Sequence, residues 1–129
     1  MVRPTVTLLL LLASLVALNG CGWDSSKVDT TGLETVTATE VQAIVENPES
    51  AFLLDVRTPG EFAEGHIEGA VNIPSYQLKN RMAELPKNKP ILVYCEMGYR
   101  AADVARILTE SDGFQVKTYV EGMSEWRSK

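Results

Sequence analysis

Cys95 stands where the apolar run Ile91-Leu92-Val93-Tyr94 stops and a helix-forming run begins. At such a junction the N–H groups of a tight loop and of the first helical turn face one concavity, and with the helix dipole they favour an anion. The thiolate is the reactive form of a cysteine, so the position suits a nucleophile. Three residues on, Gly98 lets the loop bend sharply, because without a Cβ it can take positive φ. Arg100 is the single basic residue of the segment and can present a planar fork to a bound oxyanion. Cysteine at a strand end is also commonly a small buried hydrophobe, and composition alone leaves that reading open.

The other cysteine has a different setting. Met1-Val2-Arg3 leads into a run of about 13 mostly apolar residues ending at Leu18, too short for the ~20 that span a bilayer and suited to the core of a secretory signal. Leu18-Asn19-Gly20-Cys21 then resembles the lipobox of bacterial lipoproteins, in which the signal is cut before a diacylated cysteine. The resemblance implies a signal peptide over residues 1–20 and a lipid anchor at Cys21 that holds the protein to a membrane of the cell envelope, periplasmic or on the outer surface. Asn19 departs from the small residues usual there. An ordinary cleaved signal with an incidental cysteine is the alternative.

The whole chain has 129 residues and a net charge of −5. Cleavage would remove one charge, Arg3, leaving 11 basic against 17 acidic residues and a net charge of −6. Nucleic acid is therefore excluded as a natural partner. With Cys21 acylated, Cys95 would be the one free thiol, and no intramolecular disulfide could form.

Residues 21–32 are rich in Ser, Thr, Asp and Gly and read as a flexible, lipid-anchored tether. Residues 33–129 read as one folded domain. Thr37-Ala38-Thr39-Glu40 and Thr58-Pro59-Gly60-Glu61 are capping boxes, the second with proline at the first helical position and Gly65 ending its short helix. Ala51–Val56 and Ile91–Tyr94 are continuous apolar runs of strand length, the pattern of strands covered on both faces. Leu33–Val36, Ala70–Ile73 and Phe114–Val120 are further strand candidates. Ser75 is expected to cap a helix reaching Leu85, and Ala101 to Leu108 carry a helical apolar stripe. Alternating strands and helices give an α/β fold, a central and mostly parallel sheet of five strands with helices on both faces. Ligands of such sheets bind beyond the C-terminal strand ends, where Cys95 lies.

Cys95-Glu96-Met97-Gly98-Tyr99-Arg100 resembles the active-site loop C-x-x-G-x-R of the rhodanese family. Leu54-Asp55-Val56-Arg57 with Glu61-Phe62, Gly65–Pro74 and the closing Glu121–Trp126 match that family too, in the right order and spacing. The resemblance implies a rhodanese-like monomer without cofactor or metal, which takes a sulfane sulfur from thiosulfate or a persulfide as a Cys95 persulfide. A thiol or cyanide acceptor then removes it. The loop Glu96, Met97, Gly98, Tyr99 and Arg100 would cradle the charge on sulfur, with Asp55 and Arg57 in support. Glu96 departs from the basic loops of members that favour thiosulfate, and its charge is expected to disfavour a dianionic donor. Ala101 replaces a common serine, and Glu121-Gly122 a common glycine pair.

Cysteine-dependent phosphatases and arsenate reductases have related loops, but with five residues between cysteine and arginine where this chain has four, a narrower cradle suited to a single sulfur. A non-catalytic binding or redox module of the same fold is the third reading. His66 is expected in a structural turn, Asp55 and Arg57 as an ion pair or loop clasp near the site, and Phe62 and Trp126 in the core.

Overall fold

The computed structural model describes residues 24–129. The expected signal peptide and Cys21 lie outside the described residues. Four parallel strands form the sheet: β1 (Phe52–Asp55), β2 (Val71–Asn72), β3 (Ile91–Tyr94) and β4 (Val116–Tyr119), in the spatial order β2-β1-β3-β4. The fifth strand expected at Leu33–Val36 is reduced to one parallel bridge, Thr35 to Thr118. Val36 N donates to Thr118 O at 3.0 Å and Thr118 N to Glu34 O at 2.8 Å, so the segment pairs with the β4 edge but does not extend into a ladder. Capping by Thr37 stops it, since the next residue opens a helix.

Five α-helices flank the sheet: α1 (Ala38–Glu46), α2 (Pro59–Glu64), α3 (Leu78–Arg81), α4 (Tyr99–Glu110) and α5 (Gly122–Trp126). Both capping boxes form: Thr37 and Glu40 bond each other's backbone at α1, as do Thr58 and Glu61 at α2. The helix expected from Ser75 to Leu85 is instead a 3-10 turn at Ser75–Gln77, the single turn α3, and a second 3-10 turn at Met82–Glu84. Ser75 makes no side-chain cap, because Pro74 holds the capping position and the Ser75 amide is tied to Val56 O at 3.0 Å.

Strand periodicity divides the core and aims the chemistry. Leu54, Val56, Ile91, Val93 and Cys95 face α3 and α4, where they meet Leu78, Ala101, Val104 and Leu108. Leu53, Leu92, Tyr94 and Tyr119 face the other side, with Val41 of α1 and Met123 of α5. Both faces being covered accounts for the unbroken apolar runs in β1 and β3. Trp126 packs edge-on against Tyr119, while Phe62 is only partly buried and stacks flat on His66 at 3.7 Å between ring centroids. Phe62, on α2, therefore lies toward the surface and not in the core.

Residues 24–32, expected as a free tether, lie on the domain. Asp24 caps a 3-10 turn at Ser25–Lys27, and Val28, 6% exposed, forms a small cluster with Ala102, Val120 and Leu33. Asp29 pairs with Arg106 of α4 at 3.3 Å. Burial of Val28 against Ala102, Val120 and Leu33, with the Asp29 pairing, docks the segment on the domain. Val28→Ala is expected to destabilise the domain by about 2 kcal/mol, read as a lowered thermal midpoint. An undocked tether would leave that midpoint unchanged.

Candidate active site

β3 ends at Tyr94 and α4 begins at Tyr99, and Cys95 follows the strand directly, so its side chain points to the α4 face with Val93. The residue is 1% exposed. Its Sγ accepts hydrogen bonds from Gly98 N at 3.0 Å and Ala101 N at 3.4 Å. These two amides lie at the capping position and in the first turn of α4, the positive end of the helix dipole. Any charge on this sulfur meets donors already in place.

The loop bends at Gly98, which sits at φ 91°. A Cβ there would also lie 2.4 Å from Val120 O, so both conformation and space require glycine. On its far side the loop is bound to α5. Met123 N donates to Cys95 O at 3.0 Å and Ser124 N to Glu96 O at 3.1 Å. Gly122, at φ 61°, allows that approach, since its own Cβ would fall 2.4 Å from Cys95 O and 2.7 Å from Glu96 O.

Beneath the loop lies a buried charge network. Arg57, fully buried, donates Nη2 to Asp55 Oδ2 and to Gly65 O, both at 2.7 Å, and Nε to both Asp55 carboxylate oxygens at 3.1 Å. Its Nη1 reaches Glu96 Oε2 at 3.3 Å. Burial works against the guanidinium charge, but the Asp55 hydrogen bonds and charge outweigh it. Asp55 is thus a clasp partner at the end of β1, with Asn72 Nδ2 holding the Asp55 and Arg57 carbonyls at 3.0 and 2.9 Å. Tyr94 Oη accepts from Ile67 N at 3.1 Å, and burial followed by the Asp55 charge keeps its phenol protonated far above the ordinary range.

The structure places Glu96 and Arg100 differently from expectation. Glu96 is bound by Arg57 and by Arg127, whose Nη1 and Nη2 both meet its carboxylate, the latter at 3.1 Å. Its charge is matched from two sides and does not stand free at the mouth. Arg100, whose fork was expected over a bound oxyanion, is paired two-to-two with Glu61 of α2 at 2.7 and 2.9 Å. Hydrogen bonds from Arg100 hold the Glu61 carboxyl down at about 2, so it is ionised at neutral pH. Sequence reasoning missed Glu61, Arg127 and the α5 amides as parts of this site. Glu61 was legible as a capping residue, but its partner lies 39 positions away.

His66 lies apart from the thiol: Nδ1 donates to Phe62 O at 2.9 Å, so the exposed imidazole closes its own turn. Met97 and Tyr99 are exposed at 42% and 46%, giving the loop an apolar outer surface. Among the described residues no group of three His, Cys, Asp or Glu side chains is placed to hold a metal ion.

A family model described as "Rhodanese-like domain" matches residues 37–129. The chain is 36% identical over 97 residues to YqhL of Bacillus subtilis, covering 75% of each chain. It is 32% identical over 78 residues to a protein of Allochromatium vinosum named sulfurtransferase, covering 60% of this chain and 73% of that one. A solved human single-domain sulfurtransferase, TSTD1, superposes with a TM-score of 0.65 at 26% identity, over 76% of this chain and 98% of its own.

Gly122→Ala is expected to destabilise the protein by about 2 kcal/mol or more, from a positive φ and two carbonyl clashes. An unchanged urea midpoint would show that the loop does not depend on this close approach.

Proposed function

The chain belongs to the rhodanese-like family, and from that premise we propose that it is a sulfurtransferase working through a persulfide on Cys95. The observation that carries this reading is the pair of amides, Gly98 N and Ala101 N, aimed at Cys95 Sγ. In the first step the Cys95 thiolate attacks the sulfane sulfur of a donor. With thiosulfate, the new sulfur–sulfur bond forms as the old one breaks, and sulfite leaves with the bonding pair. With a hydropersulfide, attack on the outer sulfur releases a thiolate and leaves the proton on the Cys95 persulfide. In the second step cyanide or an acceptor thiolate takes the outer sulfur and returns the Cys95 thiolate. This is covalent catalysis, dividing one transfer between two displacements.

The chain's own groups have distinct parts in this scheme. The amides of Gly98 and Ala101 stabilise negative charge on sulfur without reorganising, as fixed dipoles do in a water-poor site. Arg100 stands next to the loop with both terminal nitrogens paired to Glu61, and Arg57 acts through Glu96 and Asp55 as a positioning residue. Incubating the protein with thiosulfate or glutathione persulfide should add the mass of one sulfur atom to Cys95, and cyanide should then yield thiocyanate. Full transfer activity in Cys95→Ser would overturn the mechanism.

We further propose that the protein is exported and anchored by a lipid on Cys21, monomeric at a membrane surface of the cell envelope. The support is the sequence before Cys21: a basic start, a short apolar run and a small residue ahead of the cysteine. Cys21→Ser is expected to move the protein from the membrane fraction to the soluble fraction. Unchanged partitioning would count against the anchor.

A further inference from the structure

Three arginines stand around the Cys95 loop, and each is matched to a carboxylate. Arg57 is held by Asp55 and Glu96, Arg127 by Glu96, and Arg100 by Glu61. The three arginines and three carboxylates balance, so the charged side chains of this cluster give no net attraction to an anion. Arg100 is the most directly placed for a donor, since it sits in the first turn of the helix whose amides reach Cys95 Sγ. Its fork is fully engaged: Nη1 and Nη2 take both Glu61 oxygens. Glu61 is itself fixed, because Thr58 N and Thr58 Oγ1 donate to Glu61 Oε1 at 3.2 and 3.1 Å through the α2 capping box. The carboxylate is therefore a built part of the site and not a side chain that happens to fall there.

We propose that Glu61, by occupying the Arg100 fork, is the residue that sets donor choice, directing the site to organic hydropersulfides and away from thiosulfate. The inference rests on the persulfide reading of Cys95 and deepens it. Thiosulfate approaches as a dianion and departs as another, sulfite, so it needs a cation at the mouth in both ground and transition states. A hydropersulfide brings at most one charge at its reacting end and releases a thiolate, for which the Gly98 and Ala101 amides suffice. The apolar surface of Met97 and Tyr99 around the loop suits a donor with a carbon-bearing group more than a compact inorganic anion. Glu96, which sequence reading made responsible for donor choice, has its charge matched by Arg57 and Arg127.

The test compares loading of Cys95 from thiosulfate and from glutathione persulfide, followed by intact mass, in the wild type, Glu61→Gln and Glu110→Gln. Glutamine keeps the capping box, as the motif accepts either residue, so the helix is retained while the charge is removed. In the wild type, kcat/KM for glutathione persulfide should exceed that for thiosulfate by at least about tenfold. Glu61→Gln should raise the ratio of kcat/KM for thiosulfate to kcat/KM for glutathione persulfide by about tenfold, through the thiosulfate KM; the size is that of one partly exposed charge near a dianion. Glu110 is exposed at the far end of α4 from the loop, so Glu110→Gln controls for net charge and should leave the donor ratio unchanged. A wild type that prefers thiosulfate, or a Glu61→Gln that shifts both donors equally or neither, would overturn the proposal while leaving the persulfide mechanism intact. A shift of equal size in Glu110→Gln would overturn it too. If neither donor loads Cys95, the sulfurtransferase reading itself fails. The wild-type ratio stands as a measurement independent of any variant's folding.

Discussion

The site depends on one backbone constraint: the carbonyls of Cys95 and Glu96 are turned outward and tied to the start of α5. Met123 N and Ser124 N hold them at 3.0 and 3.1 Å. No peptide bond among the described residues is cis, and in a trans peptide the N–H points opposite to the C=O. Fixing those two carbonyls therefore turns the amides of Glu96 and Met97 away from the last helix. Gly98 then reverses the chain at φ 91° and delivers its own amide to Cys95 Sγ. Chain elements far apart in sequence cooperate here, since a side chain at Gly122 would push α5 off the loop and one at Gly98 would strike Val120. Two glycines, Gly98 facing Val120 and Gly122 facing the Cys95–Glu96 backbone, allow the close approach that holds the loop.

Charge beneath the loop acts as a second layer of the same constraint. A fully buried guanidinium and carboxylate, Arg57 and Asp55, cost desolvation that their mutual attraction offsets only with good geometry. The geometry is good because Arg57 is saturated. Asp55, Gly65 O and Glu96 take its Nε and both terminal nitrogens, and Asn72 fixes the backbone that carries it. The pair thus links the end of β1, the turn after α2 and the Cys95 loop at defined distances. Such a network contributes definition of the loop position more than net stability.

Much of this was legible in the sequence. Local signals were strong: the two capping boxes, the apolar runs of β1 and β3, and the junction that carries Cys95 all read correctly because each is decided by neighbouring residues. The fifth strand was not, since three residues next to a helix cap pair at a single bridge and the pattern of four apolar and polar residues cannot show that. The charged residues failed for a related reason. Glu96 was read as acting on the donor and Arg100 as facing a bound oxyanion, because their partners, Arg57 and Arg127 for one and Glu61 for the other, come from distant segments, 31 to 39 positions away. Composition likewise marked residues 24–32 as a tether, and Val28 reversed that by packing against Ala102, Val120 and Leu33.

Loop length and helix register meet in the placement of Arg100. With four residues between Cys95 and Arg100, the arginine falls on the second position of α4, one residue before the Ala101 amide that reaches the sulfur. From there its side chain runs toward α2 and meets Glu61. A fifth loop residue would widen the ring of amides toward the size of a tetrahedral anion. On the proposed reading the short loop suits a cradle for a single sulfur atom, and Arg100, in the first turn of α4, lies where a carboxylate of the same chain holds it. Sulfur transfer needs the first property, and the second bears on which donor brings the sulfur.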